Sequence, residues 1–136
     1  MCTTPFGLEQ SAAQAVRTEA PRATVLLAED DRSLRRYLEV LLRRAGYEVL
    51  AAADGLEAMK TLLSAEVDAV VTDALMPHLS GPELCRFLRG HPKLSSLPVV
   101  LLSGVDAAGQ ETAADVYLSK PVRADELTRS LARLLA

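Results

Sequence analysis

From Thr24 onward, short apolar runs alternate with segments whose apolar residues recur at helical spacing. Thr24-Val-Leu-Leu-Ala28 is a continuous apolar run, the pattern of a strand covered on both faces. Arg32 to Ala45 sets Leu34, Leu38, Leu41, Leu42 and Ala45 on one helical face, and Gly46 supplies a stop. Tyr47 to Ala52 reads as a second strand. Asp54-Gly-Leu-Glu57 has an N-cap residue followed three positions later by a glutamate, a capping-box-like start for a helix running to about Ser64. Asp68 to Thr72 is the third strand and Leu97 to Leu102 the fourth. Between them Gly81 to Arg89 is helical in pattern, with Leu84, Phe87 and Leu88 on one face. Val116-Tyr-Leu118 is a short fifth strand, and Ala124 to Leu135 is a last helix with Leu127, Leu131, Leu134 and Leu135 on its apolar face.

Strands alternating with helices, and read as buried on both faces, predict an α/β fold. It is a doubly wound, five-stranded parallel sheet with right-handed crossovers and helices on both sides. Residues 1–23 depart from the pattern: Pro5, Gly7 and Pro21 stand among small and polar side chains, and the charges of Glu9, Arg17, Glu19 and Arg22 cancel. They predict a flexible tail ahead of a single domain at 24–136, since the weak helical spacing of Leu8, Ala12, Ala15 and Val16 is too short to hold a helix in water.

Composition narrows the function. A chain of 136 residues that is 49% hydrophobic forms one globular domain, and a net charge of −3 gives no basic surface for bulk nucleic acid. The longest strongly apolar stretch, Leu97 to Leu102, is far short of the roughly 20 residues that cross a bilayer, so no membrane insertion is expected. The opening Met1-Cys-Thr-Thr-Pro-Phe-Gly7 lacks the basic patch and apolar run of a secretory signal, which makes a cytoplasmic location the expectation. Cys2 and Cys85 have no metal-ligand spacing. Both read as free thiols, Cys85 as a small buried apolar residue.

In an open parallel sheet, ligands bind beyond the carboxyl ends of the strands. The first strand runs into Glu29-Asp30-Asp31, the third into Asp73, the fourth into Ser103 and the fifth into Lys120-Pro121. Carboxylates crowded in one crevice repel, and a cation is the economical remedy. Oxygen-only ligands favour a hard ion, Mg2+, with Mn2+ as a substitute, and no cysteine or histidine lies at the spacing zinc would use. A lysine and a hydroxyl at the other strand ends suit phosphoryl oxygens, and one carboxylate can serve as the nucleophile.

Together, Glu29-Asp30, Asp73-Ala-Leu-Met-Pro77 with Gly81, Ser103-Gly104 and Tyr117-Leu-Ser-Lys-Pro121 resemble the receiver domain of two-component response regulators, over residues 24 to 135. The resemblance implies the CheY-like, flavodoxin-like strand order 2-1-3-4-5 and a phosphoacceptor signalling domain rather than an enzyme. It makes Asp73 the phosphoacceptor, and Glu29 and Asp30 the acidic pair holding Mg2+ together with Asp73 and the backbone carbonyl of Leu75. Ser103 matches the hydroxyl that bonds the phosphoryl group, Lys120 the lysine that pairs with it, and Tyr117 the aromatic whose rotamer follows phosphorylation. Lys120-Pro121 is similar to the family's cis peptide. The implied partners are a sensor histidine kinase or histidine phosphotransfer protein upstream, docking near the first helix, and an unidentified protein downstream.

Other charged residues read more plainly. Asp31 is a helix-start carboxylate outside the site, His78 a solvated loop residue, and His91 has no role. Arg32, Arg35, Arg36, Arg43 and Arg44 make the first helix basic, usually the mark of a solvated face.

The chain also departs from the family pattern. Between Ser103 and the fifth strand only Gly104 to Ala114 is left for two loops and the fourth helix, room for about one and a half helical turns. A shortened fourth helix alters the face that relatives use for output, and the tail, through Leu8 and Val16, is one candidate to cover it. Receiver-like domains also pair through that face, which leaves a homodimer open. Leu75 and Val105, two positions after Asp73 and Ser103, cannot hydrogen-bond an attacking water, so self-dephosphorylation should be slow.

The leading expectation is a stand-alone receiver. The alternatives are a receiver-like docking protein independent of phosphorylation, or the receiver segment of a hybrid kinase. A haloacid-dehalogenase-like phosphohydrolase would need an acid at Leu75, and a flavin-binding electron carrier would need a phosphate-cradling loop where Glu29-Asp30-Asp31 stands.

Overall fold

In the computed structural model, which describes residues 22–104 and 113–136, the apolar runs become β1 (Thr24–Ala28), β2 (Glu48–Ala52), β3 (Ala69–Asp73), β4 (Val99–Ser103) and β5 (Val116–Ser119). All neighbours pair in parallel, in the order β2-β1-β3-β4-β5. The helices are α1 (Arg32–Arg44), α2 (Gly55–Ser64), α3 (Gly81–Gly90) and α4 (Ala124–Leu134). The expected fold class and strand order are both found. The expected tail, and the helix expected between the fourth and fifth strands, lie outside the described residues.

Successive strand residues face opposite ways, so one run feeds two cores. Val25 and Leu27 of β1, with Val71, Val100 and Leu102, pack under Leu38 and Leu42 of α1 and Leu127 and Leu131 of α4. Leu26 and Ala28, with Val70 and Val99, pack under Ala58 and Leu62 of α2 and Leu84, Cys85 and Leu88 of α3. Burial on both faces holds for β1, β3 and β4, which are closed from Val25, Ala69 and Val99 onward. It fails for β2 and β5, whose alternating exposure is that of edge strands with one open side. Cys85 is a free, buried thiol, and burial pushes its pKa up to about 11, as a small core residue requires.

Local chemistry sets the helix ends. Asp31 caps α1, its carboxylate accepting from the N–H groups of Ser33 (2.9 Å) and Leu34 (3.2 Å), and Gly46 follows the helix at φ 102°, the left-handed conformation that glycine adopts at low cost. Asp54 caps α2 as expected, but the Glu57 side chain reaches back to the Ala53 N–H rather than to Asp54. The complete capping box lies at α3, where Ser80 and Glu83 exchange bonds of 3.2 and 2.8 Å. Arg89 then ties α3 to the far edge: its guanidinium donates to the carbonyls of Ala113, Ser95 and Leu97 and to Asp115 Oδ2 (2.9 Å), which also accepts from the Val99 N–H (2.8 Å).

Candidate functional site

The register brings the polar strand ends together. Ala28 pairs with Thr72 and Asp73 with Leu102, so one residue further out Glu29 stands beside Asp73 and Ser103 beside the end of β3. Lys120 follows Ser119, which pairs with Ser103, and the Lys120 N–H donates to the Ser103 carbonyl at 2.8 Å. The Lys120–Pro121 bond is cis. On the α3 side, the first turn of that helix presses onto the end of β3: a Cβ on Gly81 would overlap the Asp73 carbonyl oxygen and lie 2.7 Å from Leu101 Cδ1. Glycine at 81 lets the helix sit close enough to hold Asp73 in place.

Three carboxylates converge here. Glu29, Asp30 and Asp73 each offer an oxygen within 4.8 Å of the others; Glu29 and Asp73 are buried and Asp30 is exposed. Lys120 Nζ lies 3.0 Å from Asp73 Oδ1 and 3.5 Å from Glu29 Oε1. Burial alone would lower the lysine's pKa, but its bond to Asp73 and the Glu29 charge raise it overall, so it stays an ammonium. Burial, with the Asp73 charge adding to it, pushes Glu29 up to about 7 against the lowering effects of the Asp31 N–H and Lys120.

One ammonium is too little for three acids. Glu29 Oε2 accepts from the Asp31 N–H at 3.0 Å, whereas Oε1 is buried without a hydrogen bond. A buried carboxylate oxygen whose ion-pair partner, 3.5 Å away, is shared with Asp73, in an all-oxygen donor set, fits a hard divalent cation with water completing its shell.

The remaining expectations find their places. Ser103 is buried at the end of β4, Tyr117 is partly exposed on the edge strand β5, and Leu75, two residues past Asp73, has its side chain 73% exposed. Asp31 serves as the N-cap and not as a third ligand. His78 is an exposed loop residue, but it adopts φ 72°, and its Nδ1 lies 3.1 Å from Asp54 Oδ2, tying the β3–α3 loop to the start of α2. His91 Nδ1 accepts from the Lys93 N–H, and its ring packs beside Phe87. The solvated reading of the arginines on α1 fails at Arg35, which turns inward to donate to the Glu29 carbonyl at 2.8 Å. No rule of spacing marks that bond; only its position one turn after the acidic residues hinted at it.

Comparison with known proteins agrees with this geometry. A model of the response regulator receiver domain matches residues 25–132. The response regulator MprA of Mycobacterium tuberculosis is 40% identical over 116 residues, 82% of this chain and 50% of that protein. The chain thus spans about half the length of the curated relatives it matches. Among solved structures, a putative response regulator from Chloroflexus aurantiacus superposes with a TM-score of 0.80 at 37% identity, covering 85% of this chain and 98% of that one. The response regulator TrrA of Thermotoga maritima, solved with Mg2+ and a beryllium fluoride, gives 0.77 at 31% identity over 83% of this chain and 99% of that one. With its strand order, its convergent acids and its lysine all accounted for, the chain belongs to the response regulator receiver domain family, whose function is phosphoacceptor signalling.

Proposed function

We propose that this domain takes a phosphoryl group onto Asp73 from a phosphohistidine of a sensor histidine kinase or histidine phosphotransfer protein, and that the change alters which proteins it binds. The observation that carries the reading is the convergence of Glu29, Asp30 and Asp73 with Lys120 Nζ 3.0 Å from Asp73. An Asp73 oxygen attacks phosphorus, the P–N bond breaks as the P–O bond forms, and the departing imidazole nitrogen keeps the electron pair and takes up a proton. Lys120 pairs with the incoming phosphoryl oxygens and the Ser103 hydroxyl donates to one of them. Glu29, Asp30, Asp73 and the Leu75 carbonyl hold Mg2+, or Mn2+ in its place, which when bound offsets the repulsion between the two anions. Tyr117 reports the phosphorylated state on the β5 edge.

The α1 face suits the donor. Arg32, Arg36 and Arg44 are exposed there, and a groove of about 570 Å3 between α1 and α4 is lined by Tyr37, Val40, Leu41 and Thr128. The groove edge carries Arg44 and Asp125, and the exposed Arg32 and Arg36 on the same helix add positive charge that would draw an acidic surface of the donor toward it.

Intact mass after incubation with acetyl phosphate and Mg2+ tests the reading. Wild type should gain one phosphoryl group, and Asp73→Asn and a metal-free sample none. No adduct in wild type would leave a docking protein that works without phosphorylation.

A further inference from the structure

We propose that Arg35 is a positioning residue for the acidic pair: its guanidinium braces the peptide between Glu29 and Asp30 and so aims the exposed Asp30 carboxylate at the cation. The proposal rests on the reading of the acidic cluster as a Mg2+ site. The Glu29 carbonyl that receives Arg35 Nη1 at 2.8 Å belongs to the planar unit joining the two acids, so a bond to that oxygen fixes the plane from which the Asp30 backbone departs. The rest of the turn is braced from the same helix. Asp31 caps α1, the Arg35 N–H donates to the Asp31 carbonyl at 2.8 Å, and the Asp31 N–H holds Glu29 Oε2 at 3.0 Å. Asp30 sits between these fixed points.

The position of Arg35 is itself informative. It lies near the N-terminal end of α1, where the helix dipole disfavours a cation, and no acidic side chain stands in that helix's first turn. A guanidinium there is offset by the Asp31 carboxylate at the N-cap and by the Glu29 carbonyl to which it donates.

Charge and position predict opposite signs. By charge alone, removing a cation beside the acids should tighten Mg2+ binding; by positioning, it should weaken it, on the scale of about tenfold known for groups that orient metal ligands. The helix also supplies a matched control, because Arg43 donates to the Val49 carbonyl at 3.1 Å, likewise six residues away but at the other end of α1.

Calorimetric Mg2+ binding isotherms on the full chain, well below the melting temperature, decide the matter. Asp30→Asn should lose at least tenfold in affinity, Arg35→Gln about tenfold, and Arg43→Gln less than twofold, with Arg35→Lys between wild type and Arg35→Gln. Arg35→Gln binding as tightly as wild type or tighter, while Asp30→Asn is weak, would overturn the positioning role and leave the metal site standing. Equal weakening by Arg35→Gln and Arg43→Gln would overturn it too, in favour of general docking of the helix. Wild-type affinity in Asp30→Asn would remove the site reading and the proposal together. Should Arg35→Gln not fold, Arg35→Lys carries the test: a loss of about threefold or more supports the brace, and unchanged affinity overturns it.

Discussion

Glu29 stores much of the site's repulsion. Its carboxyl is pushed up to about 7 from the ordinary 4.5, by burial first and by Asp73 as well. An acid raised on folding keeps a proton that the unfolded chain has already released, so its contribution to stability is greatest below pH 4.5 and is lost as pH climbs to about 7. At roughly 1.4 kcal/mol per unit, the loss is on the order of 3 kcal/mol. In the presence of a chelator, the stability of wild type from urea unfolding should decline between pH 5 and 7, while that of Glu29→Gln should not. Parallel profiles for the two proteins would show that Glu29 is not protonated in the fold. Residues of this kind divide sharply in how far sequence exposes them. Asp73, Glu29 and Lys120 are readable because each ends a strand, where the fold class itself predicts ligands. Arg35 and the pair of Asp54 with His78 are not, since their partners are defined by where a side chain turns after its helix or loop has docked.

At the scale of elements, α3 separates two ways of holding the site. Ser80→Ala removes a cap bond and should cost about 1 kcal/mol in urea unfolding while leaving phosphorylation of Asp73 at its wild-type rate. Gly81→Ala drives a Cβ into the Asp73 carbonyl, should cost about 1 to 3 kcal/mol as overpacking does, and should also slow adduct formation because the nucleophile is displaced. Equal rates for Gly81→Ala and wild type would mean that the end of β3 moves without consequence. Every element visible in the described residues was legible from periodicity, because apolar runs and helical spacing are local signals. The boundaries were less so. β4 starts at Val99 rather than Leu97, because Pro98 has no N–H to give to a ladder and serves only as an acceptor, for the Val70 N–H at 2.9 Å. β3 extends through Asp73, one residue beyond its apolar run, since its neighbour β4 offers a register partner there. The Ser80–Glu83 box stands in the sequence as S-x-x-E, directly ahead of the helical pattern that begins at Gly81.

For the molecule as a whole, the lifetime of the phosphoryl group is the property the site most directly sets. Leu75, two residues after Asp73, is exposed and apolar, and Val105, its counterpart after Ser103, lies outside the described residues; neither side chain type can hydrogen-bond an attacking water. The acyl phosphate should persist for minutes or longer after removal of the donor, and Leu75→Asn should shorten it several-fold; a wild-type half-life of seconds, followed by intact mass, would contradict this. Arg89 bears on the molecule in another way. By gripping Ala113 and Asp115 together with the Leu97 carbonyl, and through Asp115 the Val99 N–H, it fixes where β5 begins independently of what joins it to β4. The start of β5 is therefore tied to α3 and to the start of β4 by side-chain bonds of Arg89 and Asp115. A substitution at Arg89 would thus be felt on the strand that carries Tyr117 and runs into Lys120.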